Sequence, residues 1–127
     1  MILVDTSAWI DFFRGVEPLA TRVDGLLADD LVAVCGPVVT ELRRGLRTAR
    51  ERSRVLPLLG ACHALPQPED LWETAGELGF LTRRSGATIK TLDLLVATWA
   101  LGAAVPILTR DADFGALRRA GVPIELA

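Results

Sequence analysis

Met1-Ile2-Leu3-Val4-Asp5-Thr6-Ser7-Ala8-Trp9-Ile10 is the stretch on which the fold turns. Ile2-Leu3-Val4 is apolar without alternation, as expected of a short strand buried on both faces of a parallel sheet. Asp5 ends the run. Thr6 or Ser7 can then cap a helix whose inner face carries Trp9, Ile10 and Phe13. A buried strand that passes straight into an amphipathic helix is the first half of a strand–helix–strand unit.

The same alternation continues outward. A second helix is expected over about Pro18–Ala28, with Leu19, Val23, Leu26 and Leu27 at helical spacing, followed by a strand over Leu31–Cys35. Gly36-Pro37 opens a helix through about Leu46, Pro37 suiting a first helical position. Arg47 to about Leu56 is again helical, and Pro57 should end or kink it. Ala61–Leu65 is a third strand. Pro68 opens a helix to about Arg84 carrying Leu71, Trp72, Ala75, Leu78 and Leu81, and Ser85–Lys90 is a loop. Thr91–Leu101 forms a helix with Leu92, Leu95, Val96 and Trp99 on one side, ended by Gly102. Val105–Leu108 is a strand, Asp113–Ala120 a helix and Val122–Leu126 a last strand. Strands alternating with helices predict a three-layer α/β/α fold around a mostly parallel central sheet, built as one domain over residues 1–127.

Five acids fall at the joints of this pattern. Asp5 and Asp111 follow strands, Glu41 and Asp93 lie in early turns of helices, and Asp113 starts the last helix. In open parallel sheets ligands collect beyond the carboxyl ends of the strands, at the switch in strand order. Each acid alone has a plainer explanation: Asp5, Asp93 and Asp111 as helix caps, Glu41 as a helix-surface residue. Jointly they can meet at one mouth. Two carboxylates about 4 Å apart at an effective dielectric of about 20 repel by roughly 4 kcal/mol. Protonation or a divalent cation relieves that repulsion, and oxygen-only ligands suit Mg²⁺ or Mn²⁺. Such ions lower the pKa of a water nucleophile and neutralise charge on a phosphate, the chemistry of a nuclease or phosphatase. The sequence offers no Ser–His, Cys–His or His–His pair as an alternative nucleophile.

Composition narrows the classes. The 127 residues are half hydrophobic, enough for a single core without disulfide staples. The longest uncharged stretch, Leu94–Thr109, contains Gly102 and Pro106 and is too short to span a bilayer. No basic segment precedes the first apolar run, so no signal peptide and a cytoplasmic location are expected. Cys35 and Cys62 are too far apart for a zinc site and are expected as buried free thiols; His63 is expected to be structural or at the surface. The net charge of −2 disfavours nucleic acid only weakly, because the basic residues are arginines apart from Lys90. Arginine is the better bidentate phosphate ligand, although a GC-rich genome gives the same bias.

The motifs Asp5-Thr6-Ser7-Ala8-Trp9-Ile10, Val38-Val39-Thr40-Glu41-Leu42, Asp93-Leu94-Leu95-Val96-Ala97 and Leu108-Thr109-Arg110-Asp111-Ala112-Asp113-Phe114 resemble those of the PIN-domain ribonucleases. Length and N-terminal start look most like the VapC toxins of toxin–antitoxin pairs. The resemblance spans essentially the whole chain. It implies an endoribonuclease that uses Mg²⁺ or Mn²⁺ to cut structured RNA such as tRNA or rRNA. It also implies inhibition by a cognate VapB-type antitoxin, a homodimer and no membrane association. Asp5, Glu41, Asp93 and Asp111 then correspond to the catalytic, metal-binding quartet and Asp113 to a supporting acid. Thr6, Ser7 and Thr109 are flanking hydroxyls. Leu92 departs from the polar residue, often Asn, that many relatives carry before the third acid.

Two features stay open at this level. Arg43, Arg44, Arg47, Arg50, Arg52 and Arg54 form either a solvated face or contacts to RNA phosphates. Arg110 can reach substrate or stabilise the acids. Trp9, Trp72 and Trp99 are expected in the core. A phospho-acceptor signalling domain is rejected, because it needs paired acids after the first strand, an Asp after the third and a Lys after the fifth. A PIN-like module that binds RNA or protein without catalysis is the alternative function, and the intact acids argue against it.

Overall fold

The computed structural model describes residues 1–127. Four short strands form one parallel sheet in the order β3-β2-β1-β4: β1 (Ile2–Val4), β2 (Val32–Val34), β3 (His63–Ala64) and β4 (Ile107–Leu108). Seven helices flank it: α1 (Thr6–Arg14), α2 (Leu19–Ala28), α3 (Gly36–Gly45), α4 (Ala49–Gly60), α5 (Leu71–Arg84), α6 (Thr91–Ala103) and α7 (Ala112–Arg119). This is the expected α/β architecture. None of the helices is long and apolar enough to cross a membrane.

The register aligns Leu3 with Ala33 on one side and with Ile107 on the other, so β1 is the central strand. Leu3, Val4, Val32, Ala33, Ile107 and Leu108 are all buried, which explains why these strands read as unbroken apolar runs. From β1 the chain moves to β2 and β3 on one side, then returns to β4 on the other. The switch point therefore lies between β1 and β4.

The core also holds Trp9, Val38, Leu71, Val96, Phe114 and Leu117. Helix α6 is buried at every position from Asp93 to Ala100, as befits an apolar segment packed against α5, α3 and α7. Left-handed Gly15 (φ 68°) ends α1 and donates its amide to the Asp11 and Phe12 carbonyls.

Several expectations need correction. The last segment is no strand: Pro123 lacks an amide donor, and pairing is reduced to one parallel bridge, Ile107–Leu126. β3 shrinks to two exposed residues at the sheet edge, with Pro66 unable to extend it. Helix α4 runs through Pro57 to Gly60. Pro57 faces solvent, where the orphaned Ser53 carbonyl can be hydrated. Trp72 and Leu81 are exposed because the inward stripe of α5 is Leu71, Ala75, Leu78 and Thr82, and one residue further turns a side chain by about 100°. Phe13 lies at the rim, stacked on Trp9. Cys62 is half-buried, its thiol donating to the Leu58 carbonyl.

Phe114→Ala should cost about 3–5 kcal/mol in a urea or guanidinium unfolding experiment, since the ring is fully buried. His63→Ala, on the exposed edge strand, should stay within about 1 kcal/mol of the parent. Equal losses from the two would contradict this description of the core.

Candidate metal centre

Asp5 follows β1 at the switch point and is buried. Its amide donates to the Leu108 carbonyl (2.9 Å), which ties it to the end of β4. It occupies the N-cap position of α1, yet its side chain makes no capping hydrogen bond. Oδ2 instead accepts from the Ser7 and Thr109 hydroxyls, both at 2.9 Å. Those hydroxyls in turn accept from the Arg110 and Asp111 amides, again at 2.9 Å. Each hydroxyl has one proton, and both are spent on Asp5, so the 3.1 Å Ser7–Thr109 contact is proximity rather than a hydrogen bond. The ends of β1 and β4 are thereby fastened around a single carboxylate oxygen.

Glu41 stands in the second turn of α3, and its Oε1 accepts from the Thr6 hydroxyl at 2.9 Å. Neither Thr6 nor Ser7 caps α1: both hydroxyls are engaged by acids. The Cys35 thiol, at the end of β2, is pushed up to about 12, chiefly by burial and further by the Asp5 and Glu41 charges. That makes it an inert thiol and places both acids in its neighbourhood.

On the opposite side, Asp93, Asp111 and Asp113 each bring one carboxylate oxygen within 4.8 Å of the other two. Asp93 lies in the first turn of α6 and is only 5 % exposed. Asp111 caps α7 by accepting from the Asp113 amide at 3.0 Å. The tight trio thus includes Asp113, expected as a supporting metal-binding acid, and leaves out Asp5, whose charge nonetheless bears on Asp93, and Glu41.

The Asp93 carboxyl is pushed up to about 7. Burial is the largest cause, followed by its contact with Asp113 and the Asp111 and Asp5 charges, with Lys90 acting in the opposite direction. The partial positive charge of the α6 N-terminus also favours ionisation but does not prevail. Asp93 Oδ2 is buried without a hydrogen-bond partner. The Lys90 ammonium, 3.7 Å from it and 3.6 Å from Asp111 Oδ2, is too distant to bond either. A buried, unpartnered oxygen among three converging carboxylates is the donor set a hard divalent cation requires. The residues present therefore fit Mg²⁺ or Mn²⁺.

Lys90 itself escaped sequence reasoning. Its signal was available: it is the sole lysine and lies three residues before Asp93. The Asp93, Asp111 and Asp113 charges hold its ammonium above the usual lysine range. Asp11 was missed too. It is buried and accepts from Arg110 Nε at 3.0 Å, which fixes the guanidinium of a residue whose amide donates to Ser7. The arginines from Arg43 to Arg54 are all exposed, and Leu92 is half-buried.

The PIN domain family model matches residues 2–120. The VapC ribonuclease Mb1587 of Mycobacterium bovis is 30% identical over 124 residues, covering 94% of this chain and 92% of that protein. Among solved structures, VapBC2 from Rickettsia felis bound to a promoter DNA fragment superposes with a TM-score of 0.76 at 18% identity, covering 100% of this chain and 98% of that one. The VapBC-5 toxin–antitoxin structure from Mycobacterium tuberculosis gives 0.63 at 26%, covering 98% and 97%.

The Asp93 shift has a signed consequence for the metal-free protein. Its folded-state pKa of about 7 lies above the ordinary 3.8, so between those values the folded state holds a proton that the unfolded state has released. Stability should fall as pH rises through that window. Asp93→Asn should flatten the decline and be the more stable of the two at pH 8 with EDTA present. Parallel urea-midpoint curves for parent and variant between about pH 4 and 8 would contradict the assignment.

Proposed function

The chain belongs to the PIN-domain family, on its VapC branch, and we propose that it is a single-domain, divalent-metal-dependent endoribonuclease toxin acting in the cytoplasm on structured RNA, tRNA or rRNA. The observation that carries the proposal is the buried, unpartnered Asp93 oxygen facing Asp111 and Asp113 at the mouth of the β1–β4 switch. Relatives named as ribonucleases support the reaction class. The likeness to the VapBC-5 toxin–antitoxin system supports control by a cognate VapB-type antitoxin, and a homodimeric toxin belongs to the same proposal.

In this reading Asp93, Asp111 and Asp113 would hold Mg²⁺ or Mn²⁺ between them, with Asp5 and Glu41 completing the acidic set. A cation bound there would lower the pKa of a water nucleophile and offset the charge that develops on the phosphodiester. The chain's own groups prepare the ground. Ser7 and Thr109 donate to Asp5 Oδ2 and leave Oδ1 without a protein donor. Thr6 donates to Glu41 Oε1 and so fixes that carboxylate. Lys90 supplies the only ammonium beside Asp93 and Asp111 and limits their repulsion while no cation is bound. Arg110, gripped by Asp11 through Nε, keeps its two terminal nitrogens free for a phosphate. The exposed arginines beyond Glu41 extend that positive character towards RNA outside the cleaved bond.

Asp5→Ala and Asp93→Asn should abolish cleavage of structured RNA while circular dichroism shows the fold retained. Ser7→Ala or Thr109→Val, which loosen Asp5 without removing a ligand, should lower activity about 10–100-fold. EDTA should stop the reaction and Mn²⁺ restore it. Parent-level cleavage by either Asp variant, or full activity in excess EDTA, would overturn the mechanism and leave a binding module.

A further inference from the structure

A depression of about 360 Å³ lies between α5 and the start of α6. Its volume is within the roughly 300–1,000 Å³ of small-molecule sites. Ile89 and Leu94, both buried, form its apolar bed, and Phe80, 56% exposed, stands beside them. Two glycines make the room. A Cβ on Gly79 would come within 3.0 Å of Leu94 Cδ1, so α5 and α6 close up there, whereas one on Gly76 would meet nothing within 4 Å. The Arg84 guanidinium lies 5.7 Å over the Phe80 ring, a cation–π contact that steadies it.

The polar lining narrows what can bind. Arg83 is the one charged residue in it, exposed and paired with no carboxylate. Exposed Thr88 and Thr91 add two hydroxyls, while the α5 acids Glu73 and Glu77 do not line it. An aromatic ring, an apolar bed, two hydroxyls and an unpaired guanidinium suit a group that is flat, polar at its edge and joined to an anion. A nucleotide has that chemistry, whereas a basic or purely apolar peptide would leave Arg83 unanswered. The position agrees. Ile89 and Thr91 line the depression, and Lys90, between them in sequence, carries the ammonium 3.7 Å from Asp93 Oδ2 and 3.6 Å from Asp111 Oδ2. A strand lying across the acids therefore has the depression as its next foothold.

We propose that this depression holds the unpaired base of a nucleotide flanking the cleaved bond. Phe80 is its stacking surface, Thr88 and Thr91 hydrogen-bond its edge, and Arg83 bonds its phosphate. The proposal rests on the ribonuclease reading of the neighbouring acids and adds a determinant of which RNA is chosen. Bases stacked within a duplex cannot enter, so the depression selects nucleotides of loops and bulges.

The test uses the full chain and fluorescein-labelled RNA hairpins with randomised loops, bound in EDTA so that binding is read apart from cutting. The parent should favour particular bases at one loop position. Phe80→Ala should weaken binding about 10–100-fold and erase that preference, the loss expected for one stacked base. Gly76→Leu should do the same by filling the depression. It meets no neighbour and improves helix propensity, so its melting profile should be no lower than the parent's. Arg83→Gln should weaken binding to all loops alike and reduce the salt dependence by about one phosphate contact. Trp72→Ala, which removes another exposed aromatic of α5 outside the depression, should change neither affinity nor preference. A parent that binds none of the hairpins overturns the proposal. So does parent-like affinity and preference in Phe80→Ala and Gly76→Leu, which would leave the depression to a protein segment. Binding that depends on Phe80 in a chain that cuts no hairpin with Mg²⁺ or Mn²⁺ would instead sustain the base site and overturn the nuclease reading alone.

Discussion

Mutual repulsion among carboxylates at the carboxyl ends of β1 and β4 is the constraint around which the rest is arranged. Asp93, Asp111 and Asp113 are gathered within 4.8 Å of one another, the Asp5 charge bears on Asp93, and Glu41 is tied to Thr6 beside Asp5, while Lys90 is the only ammonium among them. Folding accepts this because each acid is anchored by something other than its charge. Asp5 is held by its amide on β4 and by two hydroxyls, and Glu41 by Thr6. Asp111 is held by its cap of α7, and Asp93 by the buried helix that carries it. The cost appears at Asp93, whose carboxyl is pushed up to about 7 by burial first and by its acidic neighbours second, and whose Oδ2 finds no partner.

That strain is placed where the topology makes it useful. The switch point of the β3-β2-β1-β4 sheet lies between β1 and β4, and the Ser7 and Thr109 hydroxyls tie the two strand ends together through Asp5 Oδ2. Helix dipoles, hydroxyl donors and one ammonium lower the cost of gathering acids without cancelling it. A site fully neutralised by its own protein would have nothing left to offer a cation. The family to which the chain belongs supplies the reaction class that such a site serves.

Much of this was legible in the sequence, for physical reasons. Strands buried on both faces announce themselves as unbroken apolar runs, so Ile2–Val4 and Val32–Val34 were found within a residue or two. Their order then pointed to the mouth between β1 and β4. What escaped depended on rotation about an axis or on contacts distant in sequence. Trp72 looks like a core residue by composition, yet a single step from Leu71 turns it to solvent. Val122–Leu126 has strand composition, but Pro123 leaves it one bridge short of a ladder. Lys90 and Asp11 draw their roles from Asp111 and Arg110, which periodicity cannot see. The separation of Asp93, Asp111 and Asp113 from Asp5 and Glu41 is likewise a matter of distance alone.

A crystal grown with Mn²⁺ and measured at a wavelength where manganese scatters anomalously tests the central claim most directly. The account predicts an anomalous peak among the Asp93, Asp111 and Asp113 carboxylates, with oxygen ligands at about 2.0–2.6 Å, and Asp93 Oδ2 among them. A map with no peak there at saturating Mn²⁺, or with Asp93 Oδ2 still unpartnered beside an ion bound elsewhere, would contradict it.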